Sequence, residues 1–398
     1  MKTADIVIVG AGIIGLSLAR ELIIRDPRKK ILILEEEMTL GCHSSGRNSG
    51  VLHSGIYYPE NSLKAMVCAE GAKEMATFCD EHALSIKRIG KVIVPTRKKD
   101  DALLDLLYRR GQKNGAMVEL VDESMLQEIE PETRTASGRA LYSPNTAVVD
   151  PLAILEKLAS ELKKKNVEIV TGQEVQFIDP SISNLKTNSE TFSFGHLYNT
   201  AGLYAEKLAR FFGVGQRYTI LPFRGIYYQL DQNSEIRVNG LIYPVPDLNV
   251  PFLGVHVTKA VNGIVYLGPT AVPAFGRENY SGLKGAKISD SIEIGFHLIQ
   301  QYTSNKQGFR TFAHQEGLRF LKSNFVGAAR ALIPKLRTEN LQKSTKVGIR
   351  AQLFDMEKKE LVMDFVVERG KNSTHILNAV SPGFTSAFRF ARYVIDLS

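Results

Sequence analysis

Gly10, Gly12 and Gly15 stand in the spacing G-x-G-x-x-G, behind the apolar run Asp5-Ile6-Val7-Ile8-Val9 and ahead of a helical pattern opening at Ile13. Residues of these types at this spacing hold a diphosphate. The first glycine permits a tight turn, and the second lets the backbone approach the pyrophosphate. The third lets helix pack closely on strand, with the helix N-terminus facing the phosphate charge. The binding loop is therefore Gly10-Ala11-Gly12-Ile13-Ile14-Gly15. Glu35 ends a second apolar strand, Lys30-Ile31-Leu32-Ile33-Leu34, 20 residues beyond Gly15, where an acid meets ribose hydroxyls. An acid at this position disfavours a ribose 2′-phosphate and so argues against NADP.

Ser44 to Gly55 is the next stretch rich in chemistry, reading Ser-Ser-Gly-Arg-Asn-Ser-Gly-Val-Leu-His-Ser-Gly. It lies in a segment, Gly41 to Pro59, too long for a plain connector. Ser45, Arg47, Asn48, Ser49 and Gly50 supply hydroxyls, a guanidinium, an amide and a close-approach glycine. A loop of this kind can run along a diphosphate toward a flavin ring, which points to FAD rather than NAD; composition alone also fits a polar Ω-loop. Ala201 and Gly202 form another glycine turn between strand and helix. Gly383, Phe384, Thr385 and Ser386 precede the last helix, so their amides can face a flavin pyrimidine. His53 and His256 carry imidazoles able to take a proton near neutral pH, although a lone histidine is more often structural.

The elements that must position these groups follow from periodicity. Continuous apolar runs at Asp5–Val9 and Lys30–Leu34 are what parallel strands covered on both faces look like. Helical patterns occupy Leu63–Glu81, Lys99–Asn114 and Pro151–Lys165, the last with Asp150 at the cap position and proline in the first turn. Between Thr219 and Pro269 the pattern changes to short strands and turns, as in an antiparallel sheet. His375-Ile376-Leu377-Asn378-Ala379 returns to the character of the opening. The expected fold is α/β: a discontinuous Rossmann-like nucleotide-binding domain at 1–82, 145–215 and 346–398, with a sheet-rich α+β substrate domain inserted at 83–144 and 216–345.

Bulk properties narrow the class. A chain of 398 residues is too long for one compact core. Ile6–Ile24, its longest apolar stretch, is interrupted by Arg20 and Glu21 and reads neither as a membrane span nor as a secretory signal. Cys42, Cys68 and Cys79 have no disulfide or metal spacing, so no metal is expected and a reducing, cytoplasmic compartment is. The net charge of +8 contains no long basic tract of the kind that binds nucleic acid. A basic face could still rest on the anionic inner face of a membrane.

The sequence resembles the FAD-dependent L-2-hydroxyglutarate oxidase/dehydrogenase family, within the D-amino-acid-oxidase-like superfamily, over nearly its whole length. The similar segments include Ser45-Gly46-Arg47-Asn48-Ser49-Gly50-Val51-Leu52-His53-Ser54-Gly55, Pro222-Phe223-Arg224-Gly225 and Ile242-Tyr243-Pro244-Val245-Pro246-Asp247. Others are Pro251-Phe252-Leu253-Gly254-Val255-His256 and Gly348-Ile349-Arg350-Ala351-Gln352. The resemblance implies oxidation of L-2-hydroxyglutarate to 2-oxoglutarate, with hydride passing to flavin N5 and electrons going on to oxygen, a quinone or another acceptor. It implies His53 and His256 as the candidate bases and Arg350 as the carboxylate anchor. Tyr57, Tyr243, Arg224, Lys64 and Thr385 are the further substrate-side candidates. By analogy, Val175 would meet the adenine through its backbone. Rival activities on the same fold are amine or amino-acid oxidation, which can dispense with a base, and glycerol 3-phosphate oxidation, which calls for a cage of arginines.

Overall fold

The computed structural model describes residues 2–282 and 284–398. The chain opens with β1 (Lys2–Val9), α1 (Ile13–Arg25), β2 (Ile31–Leu34), β3 (Val51–Leu52), α2 (Leu63–Glu81) and β4 (Ile86–Arg88). It continues through β5 (Lys91–Val94), α3 (Asp101–Lys113), β6 (Glu119–Asp122), α4 (Glu123–Ile129), β7 (Arg139–Ser143), β8 (Ala147–Val149) and α5 (Pro151–Lys163). Next come β9 (Val167–Val170), β10 (Val175–Asp179), β11 (Asn184–Thr187), β12 (Thr191–Asn199), α6 (Ala205–Phe211) and β13 (Tyr218–Leu230). After β14 (Leu241–Pro244), β15 (His256–Lys259), β16 (Val265–Gly268) and β17 (Val272–Pro273) the chain forms three helices, α7 (Ile288–Ser304), α8 (Phe309–Leu318) and α9 (Lys322–Arg330). It ends with β18 (Leu341–Asp355), β19 (Glu360–Leu361), β20 (Val366–Gly370), β21 (Ser373–Asn378) and α10 (Ala387–Leu397).

The first sheet runs β10-β11-β12-β1-β2-β9, with β21 beside β12 and β20 beside β21. β1 pairs in parallel with both β2 and β12, and β2 with β9. The two apolar runs of the opening are buried because α1, α5 and α10 cover one face while Phe192, Phe194 and Leu208 pack on the other. Asp150 caps α5 by accepting from the Leu152 and Ala153 amides, with Pro151 in the first turn. The nucleotide-binding core is thus assembled from segments near 2–34, 167–199 and 366–378.

The second sheet runs β19-β18-β13-β16-β15-β14-β5-β7-β6, with β17 on β13. It departs from the purely antiparallel expectation at one pair, since β14 and β5 run parallel. Alternating polarity sets which face a side chain takes but carries no strand direction, so distant segments can pair either way. β18 is a single strand to Asp355 in this sheet, so a boundary at 346 falls inside it; the return to the first sheet is made at β20.

Gly10 and Gly15 fix the join between β1 and α1. Gly10 adopts φ +102°, and a Cβ at Gly15 would stand 2.0 Å from the Gly10 carbonyl oxygen. Gly15→Ala must therefore push α1 off β1. Its unfolding free energy in urea is expected to drop by about 1–3 kcal/mol, and an unchanged midpoint would show that the join has slack.

Candidate active site

The cofactor end is built around the β1–α1 turn. The Gly10 amide donates to Leu34 O at 2.7 Å, and the Thr200 hydroxyl reaches the Val9 and Gly10 carbonyls at 2.8 and 2.9 Å. The Ala11 amide donates to Glu35 Oε2 at 2.8 Å, so the acid at the end of β2 also braces the glycine loop. Gly12 is the N-cap of α1 and brings no side-chain oxygen to the first turn. Ser45 Oγ, from the long loop, accepts from the Ile13 amide at 3.0 Å. Ile14 is buried behind this turn. An anion at the start of α1 would meet the helix dipole and its free amides.

The Ser44–Gly55 loop is held largely by its own side chains. Asn48 Nδ2 donates to Ser45 O at 2.7 Å, and Asn48 Oδ1 accepts from the Gly50 amide at 2.8 Å across Ser49. Arg47 Nε donates to Cys42 O at 2.5 Å, and its guanidinium lies 4.4 Å from the Tyr280 ring centre. Ala201 donates to Asn199 Oδ1 at 3.2 Å, and Gly202 opens a short 3₁₀ turn. Val175 opens β10, just beyond Gln173, whose amide donates to Glu35 O at 2.7 Å.

Gly383 to Ser386 form the turn into α10. The Thr385 hydroxyl donates to Val51 O at 3.2 Å and accepts from the His53 amide at 3.1 Å. Its one donor is committed, so it clamps the His53 loop against this turn. Cys68 Sγ donates to His53 O at 3.3 Å, which holds the same residue from α2.

One face of the second sheet gathers the substrate-side groups. Lys91 pairs with Leu241, and Tyr243 with Ile93; side chains two apart share a face, so Lys91 and Tyr243 point the same way. The Tyr243 ring stacks on His256, with centres 3.9 Å apart and planes at 25°. Arg350 stands opposite Phe223 on β13, on the face that Tyr227 also takes. Its guanidinium lies 5.5 Å from the Phe252 ring centre, and its hydrogen bond to Thr270 O is a long 3.5 Å. Arg224 is one residue out of this alternation and faces the other side, toward Asn279 O. The structure therefore does not bring it to Arg350. Lys64 lies by Asp364, between the rings of Tyr58 and Phe365, on the first turn of α2.

Lys91 is the residue that sequence reasoning missed. It is 1% exposed, its Nζ has no hydrogen-bond partner among the described residues, and it lies 4.9 and 5.5 Å from the ring centres of Tyr57 and Tyr243. A lysine opening the otherwise apolar Lys91-Val92-Ile93-Val94 strand was the available signal. Further buried polar atoms without partners among the described residues are His53 Nδ1 and the hydroxyls of Tyr57 and Tyr243. Such groups are rare in folded chains and mark places where a ligand completes the bonding.

Burial governs the charges here. It lowers the Lys91 amine to about 8 and holds Arg350 below the usual guanidinium range. Burial, with Lys91 and His256 beside it, lowers His53 to about 3; burial also lowers His256 to about 3, with Arg350 and Lys91 adding to the effect. His256 Nδ1 lies 2.9 Å from Gly254 O. A carbonyl only accepts, so Nδ1 carries the proton and Nε2 is left as the acceptor.

A flavin fits this arrangement: the close-packed glycine turn, with Gly12 bringing no side chain to the start of α1, would hold a diphosphate. Fold and site together define a flavin-dependent oxidoreductase. The FAD dependent oxidoreductase family model, DAO, matches residues 5–397, and the chain belongs to that family. Among its relatives, the mitochondrial L-2-hydroxyglutarate dehydrogenase of Nematostella vectensis is 37% identical, over 98% of this chain and 90% of that one. The L-2-hydroxyglutarate dehydrogenase of Indibacter alkaliphilus is 36% identical over 98% of both, and that of Escherichia coli K12 is 32% identical over 98% and 92%. In fold the chain resembles the FAD-bound L-α-glycerophosphate oxidase of Mycoplasma pneumoniae, with TM-score 0.77 at 22% identity, over 100% of this chain and 95% of that one. Glycine oxidase of Geobacillus kaustophilus gives 0.73 at 16%, over 100% and 95%.

The neutral histidines make stability depend on pH. Each titrates near 6.5 when unfolded and about 3 when folded, so the unfolded chain binds more protons between those values. Stability is complete above about 6.5 and falls as pH drops below it. The urea midpoint should decline between pH 7 and pH 5. His53→Gln and His256→Gln should each flatten the decline by about 1 kcal/mol per pH unit. A decline of equal slope in both variants would show that these imidazoles protonate freely in the folded chain.

Proposed function

We propose that this chain oxidises L-2-hydroxyglutarate to 2-oxoglutarate. The observation that carries the reading is a single sheet face on which two buried cations, Arg350 and Lys91, flank a neutral His256. A five-carbon 2-hydroxy diacid has the complementary pattern, an anion at each end and a hydroxyl beside one of them. Arg350 takes the carboxylate next to the hydroxyl, because a planar guanidinium can bind both oxygens and orient the carbon between them. Lys91 takes the distal carboxylate as a point charge, and the arriving anion supplies the counter-ion the fold withholds.

His256 accepts the hydroxyl proton at Nε2, the atom left free by the Gly254 contact. General-base assistance of this kind contributes roughly 10²–10⁴-fold. The two substrate carboxylates raise the basicity of both imidazoles, which the neighbouring cations otherwise depress. His53 flanks the same space, its backbone held by Thr385 and Cys68. Tyr57 and Tyr243 keep water from Lys91 and sharpen its interaction with an anion. FAD, held at the glycine turn of β1 and α1, would supply the acceptor for the hydride leaving C2 and the route by which the electrons reach oxygen, a quinone or another acceptor.

Anaerobic L-2-hydroxyglutarate should bleach the flavin absorbance of the purified protein; bleaching by an amino acid or glycerol 3-phosphate instead would overturn the assignment. Arg350→Lys and Lys91→Met should each raise KM by at least about tenfold, the equivalent of one charge-assisted contact. Lys91→Met should also erode the preference for the diacid over a 2-hydroxy monoacid. An unchanged KM removes the substituted residue from the carboxylate sites.

A further inference from the structure

The proposed reaction leaves one cation of the substrate-side face unused. On β18, positions 346, 348 and 350 alternate onto one face, so Lys346 points to the side that carries Arg350. Between β13 and β18 the pair Ile226–Val347 is followed by Tyr228–Lys343, so Ser344, Thr345 and Lys346 stand opposite Tyr227 alone. The Lys346 amide donates to Ser344 Oγ at 3.1 Å within this bulge, a device that re-aims a side chain. Lys346 Nζ lies 4.7 Å from the Tyr266 ring centre and 5.7 Å from that of Tyr227, and the two rings meet at 75°. Tyr266 stands opposite Thr258, two residues from His256, so both tyrosines belong to the same face as the base.

This amine is not tied into the fold. Asp150 is the acid whose charge reaches it, yet that carboxylate is engaged at the start of α5, where it accepts from the Leu152 and Ala153 amides. Among the described residues Lys346 Nζ has no hydrogen bond or ion pair. Burial outweighs Asp150 and lowers the amine to about 8. Part of Lys346 stays open to solvent, whereas Lys91 is 1% exposed. The charge of Arg350 acts on the Tyr227 hydroxyl, so Tyr227 stands between an outer cation and an inner one.

We propose that Lys346, seated between Tyr227 and Tyr266, is an outer capture site for the dicarboxylate, which it delivers to Arg350. The inference rests on the diacid reading above. Arg350 and Lys91 already match the two carboxylates of the bound substrate, so a third, more open cation acts on the anion in transit. Cations lining a low-dielectric cleft focus the field and raise the association rate of an anion, in a salt-dependent way. The two aromatic walls keep water and ions from much of the amine, which lessens the screening of its charge. A rim charge governs the on-rate, while a fully buried one governs dissociation. Lys346 therefore differs in role from Lys91, although both are lysines set against tyrosine rings.

The test is anaerobic stopped-flow mixing of the FAD-loaded full-length protein with L-2-hydroxyglutarate. At low ionic strength Lys346→Met should lower the second-order rate constant of flavin reduction at least about threefold. The two proteins should converge at about 0.5 M salt, where charges are screened within a few ångströms. The loss should fall on the second-order constant and spare the limiting rate at saturation, and Lys346→Arg should restore the wild-type salt dependence. A loss that persists in high salt, or a wild-type salt dependence in Lys346→Met, would overturn the inference. Glutarate, a dicarboxylate with no hydroxyl to oxidise, separates it from the substrate reading. Its association, followed through the flavin absorbance, should show the same salt-dependent loss in Lys346→Met. If L-2-hydroxyglutarate reduces neither protein while glutarate shows this loss, the proposed function fails and the capture site stands. Equal glutarate association in both proteins overturns the capture site.

Discussion

Lys91 is a cation enclosed by aromatic rings with no acceptor for its protons among the described residues. Removing an ammonium group from water costs several kcal/mol, and a desolvated cation–π contact returns about 2 kcal/mol or somewhat more. The fall of its pKa to about 8 records that deficit. Much of the site follows from it. Burial, with Lys91 beside both imidazoles and Arg350 beside His256, keeps both histidines neutral, since protonation of either would add a further buried positive charge. Neutral imidazoles are acceptors. The same cations that recruit carboxylates therefore help burial keep the base in its working form before substrate arrives.

Strand registry makes this arrangement. Lys91, Tyr243, His256 and Arg350 come from four strands, with Lys91 and Arg350 far in sequence from the consecutive pair β14 and β15, and pairing across the second sheet places them on one face. The sheet is tied to the cofactor domain where the long loop crosses it. Ser44 Oγ donates to Ile349 O at 2.9 Å, one residue from Arg350, while Ser45 of the same loop meets α1. Movement of the diphosphate loop would therefore reach both the helix that faces the cofactor and the strand that carries the carboxylate anchor.

What was legible in the sequence was local or periodic. The glycine spacing, Glu35 and the two apolar strands lie within 35 residues, and each signals its structure through steric need or burial. The split architecture was legible because the chain returns to buried strand patterns near its end. Lys91 was hidden because its environment depends on β5 pairing with β14, some 150 residues away, in a direction that alternation does not encode. Arg224 misled for the same reason in reverse: its motif placed it near the site, but one step of alternation turns it to the other face. The helical spacing of Ile288, Ile292, Phe296 and Ile299 signals α7 in the sequence, but a periodic pattern does not reveal that this apolar stripe is the uncovered side.

The two ends of the site differ in how far the protein satisfies them. At the cofactor end, Glu35, Ser45, Asn48 and Thr200 all spend hydrogen bonds on neighbouring backbone, so the cradle is shaped by folding alone. At the substrate end, buried atoms of Lys91, His53, Tyr57 and Tyr243 lack partners among the described residues. A preformed cradle binds without the cost of ordering it, which suits a resident cofactor. An unsatisfied pocket instead rewards a ligand that brings the missing charges and penalises one that leaves a buried cation bare. Discrimination between a diacid and a shorter monoacid would then come largely from the amine that the monoacid fails to meet.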